Sequence, residues 1–352
     1  MHTGRPSSHA RIIAAASTLA LCGLFTASVV AQQPYQVLDH WKIGGSGGWD
    51  YLLADPGAHL LYLTHGPRVE VVDTKSGKVV GAITGLKGTH GVALDTDGRF
   101  GYVSDGGSNS VVVFDRHDFH TVATIPAGTN PDGMIFEPVT KTVWVFNGRS
   151  NDVSVIDTAT NKVVATIKVS GKPEFPVADG KGFVFDNIES ANSISKFDAK
   201  TKTLVDTWKL SDCDSPSGLA MDETRRKLFA VCDGKKMAVV DADTGKQIAT
   251  PAIGQGPDAA GFSARFRLAF SSAGDGTLTV VDTAHDYKVL EALPTAPRAR
   301  TMAYDSAADR VYLVTAQFGP APAPTAETPR PRPAVVPDSF EVVVVGRNPD
   351  KF

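Results

Sequence analysis

The chain has 352 residues, 42% of them hydrophobic, with 35 Lys and Arg against 38 Asp and Glu and a formal net charge of −3. A chain of this length and apolar content can bury a large core. Its slightly acidic balance gives no electrostatic footprint for duplex DNA or an anionic membrane surface.

Arg5 and Arg11 make a positive start, residues 12–30 are apolar, and Val29-Val30-Ala31 has the small-residue pattern of a signal-peptidase site. Residues 1–31 are therefore expected to be a signal peptide cut after Ala31. The competing reading, a retained anchor, is disfavoured by polar Gln32 and Gln33. A lipoprotein signal is set aside because Leu21, not a small residue, precedes Cys22. Cleavage removes two arginines and no acid, so 33 basic residues face 38 acidic ones and the mature net charge becomes −5. A periplasmic or secreted protein is expected, with no membrane span after cleavage, since no later stretch is long and apolar enough. Two cysteines remain, Cys213 and Cys232, and export to an oxidising compartment permits a bond between them.

Beyond the leader one phrase recurs six times: Val72-Asp73-Thr74, Phe114-Asp115-Arg116, Ile156-Asp157-Thr158, Phe197-Asp198-Ala199, Val240-Asp241-Ala242 and Val281-Asp282-Thr283. The aspartates lie 42, 42, 41, 43 and 41 residues apart. Each unit parses into short β-branched and aromatic runs bounded by Gly, Asp and Asn. A period near 42 built from such runs predicts an all-β fold of propeller blades with four strands each. The repeated aspartates are read as turn residues, because a carboxylate accepts backbone N–H groups two or three residues on.

A second marker, at the turn after each first strand, falls at Asp55, Asp95, Glu137, Asp179, Asp222, Ser263 and Asp305, which counts seven blades. The last blade lacks a fourth strand at its C-terminal end. Residues 35–43 supply one: Trp41 lies 42 before Ile83, which lies 42 before Ile125. This segment is expected to pair with the last third strand and close the ring, removing the open edges. Residues 32–352 thus form a single domain. A proline-rich insertion at 318–337 interrupts blade seven; it is read as a loop that cannot join a ladder, or alternatively as a flap whose Arg330 and Arg332 reach a ligand.

The second strands Tyr62-Leu63-Thr64-His65, Tyr102-Val103-Ser104-Asp105, Trp144-Val145-Phe146-Asn147 and Tyr312-Leu313-Val314-Thr315 resemble the Tyr-Val-Thr-Asn motif of the YVTN β-propeller repeats. Pro131-Asp132-Gly133 and Pro216-Ser217-Gly218 fit the Pro-x-Gly lead-in of the same units. Over essentially the whole mature chain the pattern is similar to the exported bacterial YncE-like group. That resemblance implies a binding or scaffold protein and supplies no catalytic set.

Loops leading into first strands and out of second strands share one mouth of a propeller. Five residues before each turn marker stand Asp50, His90, Asp132, Glu174, Ser217, Asp258 and Arg300, all polar. A ring of polar groups there is a candidate ligand site, although a water-filled mouth explains polarity equally. Asn147, Arg149, Asn187, Glu189, Arg298 and Gln317 map to the same face. Arg298 and Arg300 suit a carboxylate or phosphate, with Trp49, Tyr51 and Phe175 as stacking surface. His65, His90, Asp50 and Asp105 are a set that a divalent transition metal accepts; loop histidines with no ligand are the alternative. Cys213, before a first strand, and Cys232, at the end of the next, are placed to form a disulfide, free thiols being the other option.

No Cys-x-x-Cys-His, Gly-x-Gly-x-x-Gly, Walker loop or Gly-x-Ser-x-Gly occurs, so no cofactor is firmly implied, a divalent metal being the one candidate. The expected function is a monomeric exported binding or scaffold module that takes a small ligand or a protein partner at the mouth. The alternative is a metal-assisted hydrolase or lactonase at the same place. A third reading, single-stranded nucleic acid on aromatics and arginines, is opposed by the net charge of −5.

Overall fold

Seven four-stranded antiparallel sheets make up the regular structure of the chain in a computed structural model that describes residues 1–4, 35–325, 328, 331 and 333–347. Residues 5–31 of the expected signal peptide, and Arg330 and Arg332, lie outside the described residues. Six blades run through residues 49–83, 89–126, 131–168, 173–209, 216–249 and 257–294, each with its strands in chain order. The seventh takes three strands from residues 302–346 and its outer strand from Gln36–Lys42, which pairs antiparallel with Glu341–Gly346. First strands of successive blades pack together, including the last against the first, so the ring is closed. The protein is a seven-bladed β-propeller. No α-helix occurs among the described residues, only the 3-10 turns Gly106–Ser108 and Glu189–Ala191.

Burial follows strand position. Lys162–Lys168, an outer strand, alternates exposed and half-buried residues along its length, the period-two signature of one wet face. The middle strands are buried on both faces. The third residue of every second strand is a buried aromatic: Tyr62, Tyr102, Trp144, Phe185, Phe229, Phe270 and Tyr312. These rings fill the wedge between neighbouring blades, where truncation to alanine costs roughly 3–5 kcal/mol.

The turns are made by the repeated acids. Asp73 accepts from Ser76, Asp157 from Thr160, Asp198 from Lys200 and Thr201, and Asp241 from Asp243 and Thr244. The other marker works the same way, with Asp95 accepting from Gly98, Arg99 and Phe100, and Glu137 from Val139 and Thr140. These carboxylates are scaffold. Arg116 and Arg226 then tie blades together across this face, reaching Asp55 at 2.5 Å and Asp179 at 2.6 Å. Cys213 and Cys232 form a disulfide with Cα atoms 5.1 Å apart, linking the loop before blade five to its second strand.

Candidate binding site at the channel mouth

A bulge shapes the start of the first strands. Register shifts between Trp49 and Leu52, Thr89 and Val92, Pro131 and Met134, and Pro173 and Pro176. An extra residue here breaks the in–out alternation and re-aims side chains. His90 is thereby set beside its neighbours in the ring: Nδ1 donates to Asp50 Oδ2 at 2.6 Å and lies 3.6 Å from Asp132 Oδ1. Lys172 Nζ contacts Glu174 and Glu189 at 2.6 and 2.5 Å, and Arg300 Nε lies 3.3 Å from Asp258. Five of the seven ring positions are thus an acid or histidine crowded around one opening, with Arg300 at its edge.

Below them Tyr51 and Phe175, from blades one and four, meet across the channel with ring centroids 5.0 Å apart. The Tyr51 hydroxyl donates to the Glu174 carbonyl at 2.7 Å. This pair plugs the channel. Beneath it a largely apolar cavity of about 560 Å³ runs along the first strands, past Val92, Met134 and Phe136, to the opposite face.

The low polarity under the mouth perturbs the acids above it. Burial first, then the charge of Asp50, pushes Asp132 up to about 7. Burial and then Asp132 push Glu174 up to about 8, against the pull of Lys172. Burial raises Asp258 to about 7, with Arg300 pulling back and Asp50 and Glu174 pushing further. Burial opposes a charged His90, but its bond to Asp50 and the nearby Asp132, Asp50 and Glu174 outweigh that and hold it above the ordinary histidine value. Crowded carboxylates in a poorly solvated place resist ionising together, and such perturbation is typical of functional sites.

Several expected site residues are elsewhere. His65 has a wholly buried side chain, its ring stacked on Phe340 at 4.2 Å. Neither ring nitrogen has a hydrogen-bond partner among the described residues, and burial, then Arg68, lowers it to about 4. Asp105 accepts from the Lys87 and Gly88 amides at 3.0 and 2.8 Å and from Ser108 at 2.6 Å, so it fixes a loop. Of the expected metal set, therefore, only Asp50 and His90 come together, and Asp132 is their third neighbour. Asn147 is buried and donates to Asp152 and Ser154; Asn187 is buried and donates to the Ser217 and Gly218 carbonyls. Ser217 donates to the Pro257 carbonyl at 3.0 Å. Asn147 thus braces its own blade, whereas Asn187 and Ser217 stitch successive blades together. Arg149 and Gln317 are exposed at the rim.

A pocket of about 440 Å³ opens beside the acids, lined by Gly48, Trp49, Arg298, Arg300, Phe318, Pro333 and Val335. The Arg298 guanidinium lies 4.4 Å from the Phe318 ring centre, and Trp49 packs on Phe318 and Phe340. Phe318 and Val335 form an isolated bridge, with the Gly319 amide on Ala334 and the Val336 amide on Gln317. The base of the proline-rich insertion is therefore a pinned stem that forms one wall of the pocket.

Three residues of this mouth escaped the sequence reading. Lys172 precedes the ring position that was aligned. Phe318 belongs to a segment read as insertion. Asp186, in the second strand of blade four, is wholly buried with neither carboxyl oxygen partnered among the described residues. Burial, then Glu174, raises it well above the ordinary carboxylate value. Aligning second strands residue by residue would have exposed it as an acid in an apolar column.

No protein-family model matches the chain, and no curated protein matches it. Solved structures do. Kuenenia stuttgartiensis hydrazine synthase aligns with a TM-score of 0.69 at 17% identity over 76% of this chain and 92% of that chain. U3-55K aligns at 0.71 and 11% identity over 88% and 98%, and the RRP9 WD40 repeats at 0.72 and 11% over 89% and 99%. At these identities the likeness is one of fold.

Proposed function

We propose that this is an exported, monomeric ligand-binding propeller of the YncE-like YVTN group, which holds a small anion with a flat apolar body at the channel mouth. The observation that carries the reading is the pocket where Arg298 and Arg300 stand beside Trp49 and Phe318. Guanidinium groups pair with carboxylate or phosphate in a fixed fork geometry, and the two rings offer stacking area. The volume of about 440 Å³ suits a small molecule. Export is supported by the leader pattern ending at Ala31, and the propeller scaffold is one that commonly serves binding. The insertion stem, with Pro333 and Val335 against the pocket, serves as the fixed half of a cover.

Calorimetric titration with benzoate and with adenosine monophosphate tests this reading. At least one should bind saturably, and Arg298→Ala with Arg300→Ala should weaken it tenfold or more. Failure of both probes at millimolar concentration, or binding indifferent to the arginines, would overturn it.

A further inference from the structure

We propose that Asp50, His90 and Asp132 form a site for one divalent transition-metal ion of the zinc type. Each side chain offers one ligand atom, and the three atoms lie within 4.8 Å of one another. Ligands held about 2.0–2.2 Å from a common ion sit at mutual distances that such a cluster reaches with small rotations. One imidazole among oxygen ligands selects zinc-like ions over magnesium or calcium, which favour oxygen alone.

The cluster is more than a concentration of acids. Asp132 has a side chain only 9% exposed, yet no donor among the described residues hydrogen-bonds its carboxylate, and it faces His90. A buried carboxylate without a donor is costly; its one cationic neighbour, His90 at 3.6 Å, spends its Nδ1 on Asp50, and an ion bound between the three would satisfy both acids. The ligands come from the first strands of three consecutive blades, Trp49–Asp55, Thr89–Leu94 and Pro131–Glu137, so the backbone is held by the ring before any ion binds. Supporting contacts fix the strands: the Asp50 amide donates to Thr64 Oγ1 at 3.2 Å, and Ser104 Oγ donates to the Asp132 carbonyl at 2.6 Å. Glycines keep the space open. A Cβ at Gly106 would lie 2.7 Å from the His90 ring, and one at Gly148 would lie 3.3 Å from Asp132 Oδ2.

On its outer side the cluster borders a recess of about 230 Å³ lined by Trp49, Asp50, Thr89 and His90. Three protein ligands, two of them (Asp50 and His90) facing this recess, leave coordination positions for water or a ligand atom, the arrangement of a reactive rather than a closed site. The inference rests on these three side chains alone and is independent of the arginine pocket.

The test is titration of the chelator-treated, dialysed protein with Co²⁺, read by visible absorption, and with Zn²⁺, Mg²⁺ and Ca²⁺, read by calorimetry. One equivalent of Co²⁺ and of Zn²⁺ should bind, with Mg²⁺ and Ca²⁺ at least a hundredfold weaker. Asp132→Asn and His90→Gln should each weaken Zn²⁺ tenfold or more and alter the Co²⁺ spectrum. Asp118→Asn, which removes an exposed His–Asp pair elsewhere, should change nothing. Absence of saturable binding at one equivalent, affinity unchanged in both ligand variants, or a preference for Ca²⁺ would each overturn the proposal. Should Asp132→Asn fail to fold, the His90→Gln titration alone decides.

Discussion

Asp186 occupies the fourth position of a second strand, where the other blades carry Leu63, Val103, Val145, Ala230, Ser271 and Leu313. Its buried oxygens have no hydrogen-bond partner among the described residues, and burial and then Glu174 raise it well above the usual carboxylate range, with only the Glu174 backbone pulling back. The folded chain keeps this proton, whereas the unfolded chain releases it near pH 4. Stability is therefore lost as pH rises above 4, until the folded group itself ionises. Asp186→Asn has the same shape and no proton to lose. The variant should be more stable than the parent at pH 8, by about 1–3 kcal/mol, and nearly equal at pH 4, as urea unfolding at the two values would show. Equal stability at pH 8 would mean that the carboxyl finds a partner in solution. The site was legible only in part for a related reason. Asp50, His90, Asp132, Glu174, Asp258 and Arg300 fall in one column because the turn marker fixes their distance from the strand end. His65 and Asp105 share the next strand's last position, but the bulges opposite them turn them into a packing contact and a loop cap. A bulge leaves no mark in residue spacing.

At the scale of elements the closing strand carries the clearest consequence. Gln36–Lys42 bonds to Glu341–Gly346, joining the two ends of the chain in one blade. The 42-residue step from Trp41 to Ile83 made this pairing readable, since a fourth strand without its own blade has one vacant edge to fill. The packing behind it was not readable. Trp41 lies 5.4 Å from Tyr312 and over Gly77 of blade one, where a Cβ would come within 2.6 Å of the indole. Gly77 also has φ +68, so both space and backbone demand glycine. The same device recurs at Trp208 over Gly245, each indole N–H donating to an aspartate two residues earlier, Asp39 and Asp206. Trp41→Ala should cost about 2–3 kcal/mol, below the fully buried range because the ring is half-exposed. Urea midpoints should show the loss, with early proteolysis near residue 35 as the strand frays. An unchanged midpoint would mean that the backbone ladder alone holds the ring shut.

For the whole molecule, proton binding sets how stability depends on pH. Glu174 near 8 and Asp132 and Asp258 near 7, together with Asp186, hold protons that the unfolded chain gives up near pH 4. Lys172, His90 and Arg300 face these acids and pull against the rise that burial causes. His65 acts in the opposite sense: its folded value of about 4 lies below the ordinary value near 6.5, so its neutral ring favours folding above pH 6.5 and loses that advantage as pH falls to 4. Glu70, 4.0 Å from its Nδ1, and Arg68 are the charges that face it. Four retained protons against one make the acids dominant between pH 5 and 7. The metal-free protein should therefore melt higher at pH 5 than at pH 8, stability falling by on the order of 1 kcal/mol per pH unit for each net proton retained. Below about pH 4 the trend should reverse as turn acids such as Asp241, held low by its bond from Lys227, take up protons. Asp258→Asn should flatten the neutral limb while leaving the acid limb alone. A melting temperature that rises steadily from pH 5 to 8 would contradict crowded, protonated acids at the mouth. The two limbs belong to different parts of the blade: the turns are most stable with their carboxylates ionised, whereas the mouth gives up stability at neutral pH to keep crowded, poorly solvated acids around an opening that a bound cation or ligand would relieve.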